Sequence, residues 1–117
     1  MKKRLLLISN STNAGELYLE WPRQYIKEFL EGSGVKRILF LPYAGISLDH
    51  TDVERSYDVY EQRVNQVFLS LGYEICSIHR EPDPVEAVEN AQAIAVGGGN
   101  TFHLVYKMHE LRLMAAI

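Results

Sequence analysis

Four short, unbroken apolar runs punctuate the chain: "RLLLISN" from Arg4, "KRILFLP" from Lys36, "YEICSIH" from Tyr73 and "QAIAVGGG" from Gln92. Runs without polar alternation mark strands buried on both faces. Between them, apolar residues recur at helical spacing. The first such segment carries Leu17, Trp21, Tyr25, Ile26, Phe29 and Leu30 and is closed by Gly32 and Gly34. Pro22 must start or kink that helix, because it has no N–H to give to the preceding turn. A long helix is expected from near Asp52 to Leu71, ended at Gly72. A short one follows, with Asp83 as its cap and Pro84 at its first position. The last opens at "NTF". Strand and helix alternate throughout, which predicts a three-layer α/β/α fold with four parallel strands and right-handed crossovers.

Ligand sites in such sheets lie outside the carboxyl ends of the strands. The loops leaving those ends are "SNSTNAG", "PYAGIS" and "GGGNTF", and all three are expected on one rim. The strongest signal is the run Gly97-Gly98-Gly99-Asn100-Thr101. Glycines let backbone N–H groups approach an anion or a developing oxyanion, and the following helix N-terminus adds positive potential. Asn100 or Thr101 can cap that helix. The run is not a Walker loop, because no Gly-Lys-Ser/Thr follows, and the dinucleotide spacing fails at Phe102. Without a ligand, the same residues make only a tight strand-to-helix turn.

Other side chains carry weaker signals. The formal net charge of −3 gives no general attraction to nucleic acid, and the basic flank Lys2-Lys3-Arg4 reads as a solubilising edge. After "MKKR" the apolar run is too short for a signal peptide or a membrane span. Cys76 is the only cysteine, so no intramolecular disulfide forms, and the chain reads as cytoplasmic. His103 and His109 are six apart and do not pair as metal ligands. With His50 in a loop and His79 ending a strand beside Arg80, no metal site or cofactor is expected. His79 reads as a strand-end hydrogen-bonding residue. Asp52, Glu54, Asp58 and Glu61 read as a solvated helix face; Tyr43, Tyr57 and Tyr60 could line a site, although tyrosines flanking a sheet more often serve packing. The 117 residues suit one domain, 1–117. Leu104, Val105, Met108, Leu111 and Leu113 give the last helix more apolar surface than a solvated helix carries, so a homo-oligomer is expected.

The blocks "LLLISNST", "ILFLPYAG" and "IHREPDPVEAVENAQAIAVGGGNTFHL" together resemble the peptidase E family of α-aspartyl dipeptidases over nearly the whole chain. Cyanophycinases are similar around the glycines, but "SNST", "PYAG" and "IHR-x-x-DP" favour peptidase E. The resemblance implies a flavodoxin-like fold, similar to class I glutamine amidotransferases, and hydrolysis of dipeptides with an N-terminal aspartate. It implies a serine nucleophile on a strand-to-helix elbow, a histidine base and an acidic partner, with no cofactor. Gly99 would donate its N–H to the oxyanion, with Gly98, Asn100 and Thr101 shaping the substrate pocket. The family's nucleophile falls in a "GxSAG"-type segment after the helix that opens at "NTF". No GxSxG occurs in this sequence, and Ser9, Ser11, Ser33, Ser47, Ser56, Ser70 and Ser77 all precede the glycines. The expectation is therefore a truncated N-terminal half, inactive alone. The alternatives are one half of a split enzyme and a non-catalytic domain that binds a small ligand or a partner.

Overall fold

The computed structural model describes residues 3–49 and 51–117. His50 and Lys2, both weighed above, lie outside the described residues. The chain divides into two units, residues 1–34 and residues 35–117.

In the first unit, helix α1 (Arg23–Leu30) starts directly after Pro22, which occupies its N-cap position. Pro22 therefore starts the helix and does not kink it, as its missing N–H favours. Gln24 and Glu28, one turn apart, share a 3.0 Å side-chain hydrogen bond. The guanidinium of Arg4 lies 4.7 Å from the centre of the Phe29 ring, so this basic residue is a cation–π partner as well as a polar flank. Residues 5–8, expected as the first strand, belong to no strand. Leu5 and Leu7 are 78% and 88% exposed, while Leu6 and Ile8 are half-buried. An apolar run becomes a buried strand only when a neighbour takes its backbone groups and layers cover both faces. In this segment alternate side chains are exposed to solvent. The sheet accordingly has three strands among the described residues, not four.

The second unit holds that sheet. Strand β1 (Arg37–Leu41) is central, with β2 (Glu74–Ser77) and β3 (Ile94–Val96) parallel to it on either side. Phe40 pairs with Ser77 on one side and Ala95 on the other. Four consecutive residues, Ile38 to Leu41, are buried, and fully burying each such side chain stabilises by roughly 1.5–3 kcal/mol. Helix α2 (Val53–Ser70) connects β1 to β2. Its N-cap, Asp52, accepts from Glu54 N–H and Arg55 N–H, and Gly72 closes it with a φ of 96°. Strand β2 stops at Ser77, and Ile78–Arg80 forms one 3-10 turn in place of the expected strand end. Helix α3 (Pro84–Asn90) begins with Asp83 accepting from Glu86 N–H and Pro84 in the first turn, as "DP" predicts. Helix α4 (Thr101–Glu110) follows β3.

Leu39 and Leu41 form a core with Tyr43, Tyr57, Ile78, Val88 and Leu113, and Leu104 and Met108 pack against it. The next residue along β1, Phe40, meets the Tyr60 ring edge-on at 5.0 Å. Of the apolar residues expected on the last helix, Leu104 and Met108 are partly covered and Val105 is exposed, while Leu111 and Leu113 lie beyond its end, Leu113 fully buried. The exposed apolar residues there are Phe102, Val105, Tyr106 and Met114. The result is an open, parallel α/β fold of the flavodoxin-like kind.

Candidate functional site: the turn between β3 and α4

The strand order β2-β1-β3 reverses direction at β1. The chain moves from β1 to β2, then returns past β1 to form β3. Such a reversal between neighbouring strands is where open α/β sheets commonly bind ligands, outside the strands' carboxyl ends. Residues 42–46 after β1 and 97–101 after β3 meet there. The first of the three expected rim loops, residues 9–15, belongs to the other unit. Its Asn10 amide donates to Asn13 Oδ1 over 3.0 Å.

Two backbone bonds fasten the glycine turn at its ends. Gly97 N–H donates to Leu41 O over 3.1 Å, and Asn100 N–H to Ala44 O over 2.7 Å. Gly99 has a φ of 141°, and a Cβ there would lie 2.4 Å from Ala44 O. Only glycine satisfies both conditions. A Cβ on Gly97 would come 2.5 Å from the Tyr60 hydroxyl oxygen, and one on Gly45 2.3 Å from the same ring. The Tyr60 hydroxyl donates to Gly98 O over 3.1 Å. Asn100 is the N-cap of α4, its Oδ1 accepting from His103 N–H over 3.0 Å, and Thr101 is the first helical residue. The N–H groups of Gly98 and Gly99 have no acceptor among the described residues, and both glycines are exposed. Two unpaired donors thus stand beside a helix N-terminus, where negative charge is favoured.

Around this turn the tyrosines do more than fill space. Tyr57 and Tyr43 pack edge-on with ring centres 5.3 Å apart. Burial first, then nearby negative charge, pushes both phenols up to about 12. The Tyr57 hydroxyl meets His103 Nε2 at 2.8 Å, tying α2 to the first turn of α4. His109 is exposed further along α4.

His79 sits in a separate network beyond the end of β2. Its Nδ1 is hydrogen-bonded to Ser77 Oγ, and its Nε2 meets Asp58 Oδ1 at 2.8 Å. Arg80 Nη2 and Nε reach Asp58 and Glu61 at 2.8 and 2.7 Å, and Glu61 also accepts from Ser77 N–H. Hydrogen bonding from His79, assisted by Arg80, holds the Asp58 carboxyl below its ordinary value. Asp58 and Glu61 are therefore network members and not the solvated face expected of them. Serine, histidine and aspartate here have the chemical types of a hydrolytic triad, but Ser77 is only 1% exposed. No substrate carbonyl reaches that hydroxyl, so the group is a structural tie.

A cleft of about 560 Å³ toward the amino end of β1, lined by Arg37, Cys76, Glu81 and Glu86 among others, shares no residue with the turn. Arg37 Nε donates to Cys76 Sγ at its edge, over 2.8 Å. Among the described residues no group of three or more His, Cys, Asp and Glu is placed to hold a metal ion, and no helix is long and apolar enough to cross a membrane.

Bare amides in a strand-to-helix glycine turn, beside a helix N-terminus, have the geometry that can accept an anion. The chain belongs to peptidase family S51, whose model matches residues 5–117. It is 48% identical over 114 residues to Peptidase E of Nostoc sp., and 40% identical over 113 residues to Peptidase E of an Escherichia coli strain. A Shigella flexneri Peptidase E is 39% identical over 113 residues. These matches take in 97% of this chain but only 44–45% of the relatives. The chain thus corresponds to the N-terminal half of a peptidase E-like protein.

The sequence singled out Gly98, Gly99, Asn100 and Thr101, and these four run continuously from the glycine turn into the first residue of α4. Tyr60 stands in the sequence only as one of three tyrosines, and its partner Gly98 is not legible there because it lies 38 positions away.

Proposed function

We propose that this chain supplies the oxyanion-binding half of a peptidase E-type serine dipeptidase acting on dipeptides with an N-terminal aspartate. The observation that carries this reading is the exposed Gly99 N–H, without an acceptor among the described residues, at the switch point of a family S51 chain. In the proposed role Gly99 N–H donates to the oxygen of the tetrahedral intermediate. Gly98, Asn100 and Thr101 line the substrate pocket, Asn100 by holding the helix start in place. An oxyanion hole alone leaves only about 10³–10⁴-fold acceleration over water in the well-studied triad case. The 117-residue chain by itself is therefore expected not to turn over an Asp-Xaa dipeptide at a measurable rate. The test is incubation of the purified chain with Asp-Leu, following both free leucine and the Gly99 amide resonance. A perturbed Gly99 amide without leucine release supports the reading. Hydrolysis that survives Gly99→Val would overturn it.

A second reading, one half of a split enzyme or an associating domain, is favoured by a specific observation. Strand β3 pairs with β1 alone among the described residues, and helix α4 has no buried residue. Phe102 and Tyr106 are 91% and 61% exposed. An open sheet edge beside exposed aromatic side chains favours covering by another chain, and a homo-oligomer is the simplest occupant. Light scattering at micromolar concentration distinguishes a dimer from a monomer, and a monomer counts against self-association. The single free cysteine suits a cytoplasmic location.

A further inference from the structure

A turn that works through its backbone depends on which way each peptide unit faces. In a trans peptide, the carbonyl of one residue and the N–H of the next lie in one plane and point in opposite directions. Whatever fixes the Gly98 carbonyl therefore fixes the Gly99 N–H in the reverse direction. All peptide bonds in the described residues are trans. Neither Gly98 nor Gly99 has a Cβ to bias the plane, so side-chain sterics do little to fix this peptide.

We propose that Tyr60 is the positioning residue of the turn. By holding Gly98 O inward, it aims Gly99 N–H outward, at the site of developing negative charge. This rests on the oxyanion reading given above. Three observations carry it. The ends of the turn have their own anchors, Gly97 N–H on Leu41 O and Asn100 N–H on Ala44 O. The Gly98–Gly99 peptide between them is held by the Tyr60 hydroxyl at 3.1 Å. The Tyr60 ring is itself fixed, 9% exposed, edge-on to Phe40 and filling the space against Gly45 and Gly97. One hydrogen bond of ordinary net strength biases a two-state orientation by about fivefold. That is enough to decide which way a Gly-Gly peptide faces.

The test is Tyr60→Phe, which keeps the ring and removes only the hydroxyl. Residual dipolar couplings report the direction of each N–H vector in the ¹⁵N-labelled full chain. The expected result is a Gly99 coupling that collapses toward its average, while those of Gly97 and Asn100 stay as they were. Asp-Leu should then bind about twofold more weakly, as judged by the Gly99 amide, because the competent fraction falls from about five-sixths to about one-half. A Gly99 coupling unchanged by the substitution overturns the proposal. So does a shift shared by all four turn residues, which marks Tyr60 as packing alone. If the variant does not fold, the unaltered chain still decides: a Gly99 order parameter near that of Gly97 supports the anchor, and one below about 0.6 overturns it. If the couplings behave as expected but Asp-Leu leaves Gly99 of the unaltered chain untouched, the oxyanion reading falls and the peptide's positioning stands.

Discussion

The Tyr57 hydroxyl and His103 Nε2, 46 residues apart in sequence, lie 2.8 Å apart and join α2 to the first turn of α4. The glycine turn ends where that helix begins, so this bond helps fix the helix start on which the bare amides depend. Replacing Tyr57 by Phe keeps the ring against Tyr43 and deletes the bond. The expected cost is about 1 kcal/mol, read as a fall in melting temperature of about 4–8 °C. An unchanged melting temperature would show that the bond contributes nothing net.

Alkaline pH gives a second test. Burial pushes Tyr43 and Tyr57 up to about 12, against about 10 for an unfolded chain. The folded state therefore holds these protons after the unfolded state has released them. Stability is fully present below pH about 10 and lost as pH climbs toward about 12. Urea midpoints measured across this window should fall steadily, and tyrosinate absorbance should show the late titration of two phenols. A flat stability curve over that range refutes the burial account.

On the acid side the sign reverses. Asp58 is held below its ordinary value by His79 and then Arg80, so its contribution is present above the unfolded value of about 3.9 and lost as pH falls below it. Asp58→Asn should lower the melting temperature by a few degrees, about 4 °C, near neutrality. The gap to the unaltered chain should close as the carboxylate protonates. A gap that stays constant down to acid pH would mean that charge plays no part.

The neighbouring glycines should respond very differently to alanine. At Gly99 a Cβ meets Ala44 O at 2.4 Å and the φ is 141°, whereas at Gly98 nothing lies within 4 Å. Gly99→Ala should cost more than about 2 kcal/mol and Gly98→Ala less than about 1 kcal/mol. Chemical denaturation of the two variants side by side checks this. Equal costs would mean that the turn is not shaped as described.

We further propose that residues 1–117 unfold as a single domain. Trp21 is the only tryptophan and reports on the first unit. The side-chain resonances of Tyr43 and Tyr57 report on the second. Coincident transitions by the two signals are the expected outcome, and two separated midpoints would divide the chain.

Much of the second unit was legible because its signals are local. Asp83-Pro84 announces the start of α3, and Asp52 that of α2, because a short acidic side chain reaches back to free N–H groups only one turn away. The Gly97–Thr101 run was legible for a similar reason: three glycines after an apolar run leave few conformations but a tight turn. Residues 5–8 misled because an apolar run shows only that burial is favourable, not whether a neighbour is present to supply it. Asp58 and Glu61 looked like surface because their partners, His79 and Arg80, arrive through tertiary pairing some twenty positions later. Strand β2 likewise ends sooner than its apolar run does, where Ile78 turns inward to the core.

The Tyr60 ring touches the places where Gly45 and Gly97 would each carry a Cβ, one in the loop after β1 and one after β3. The three positions consequently behave as one unit of variation. With the ring present, alanine at either glycine collides with it. With a smaller residue at 60, both glycines become free to accept a side chain, and the cost of the double change should be less than the sum of the singles. A drift in this part of the sequence must therefore pass through position 60 first, and any chain that has made that step has also given up the hydroxyl over Gly98.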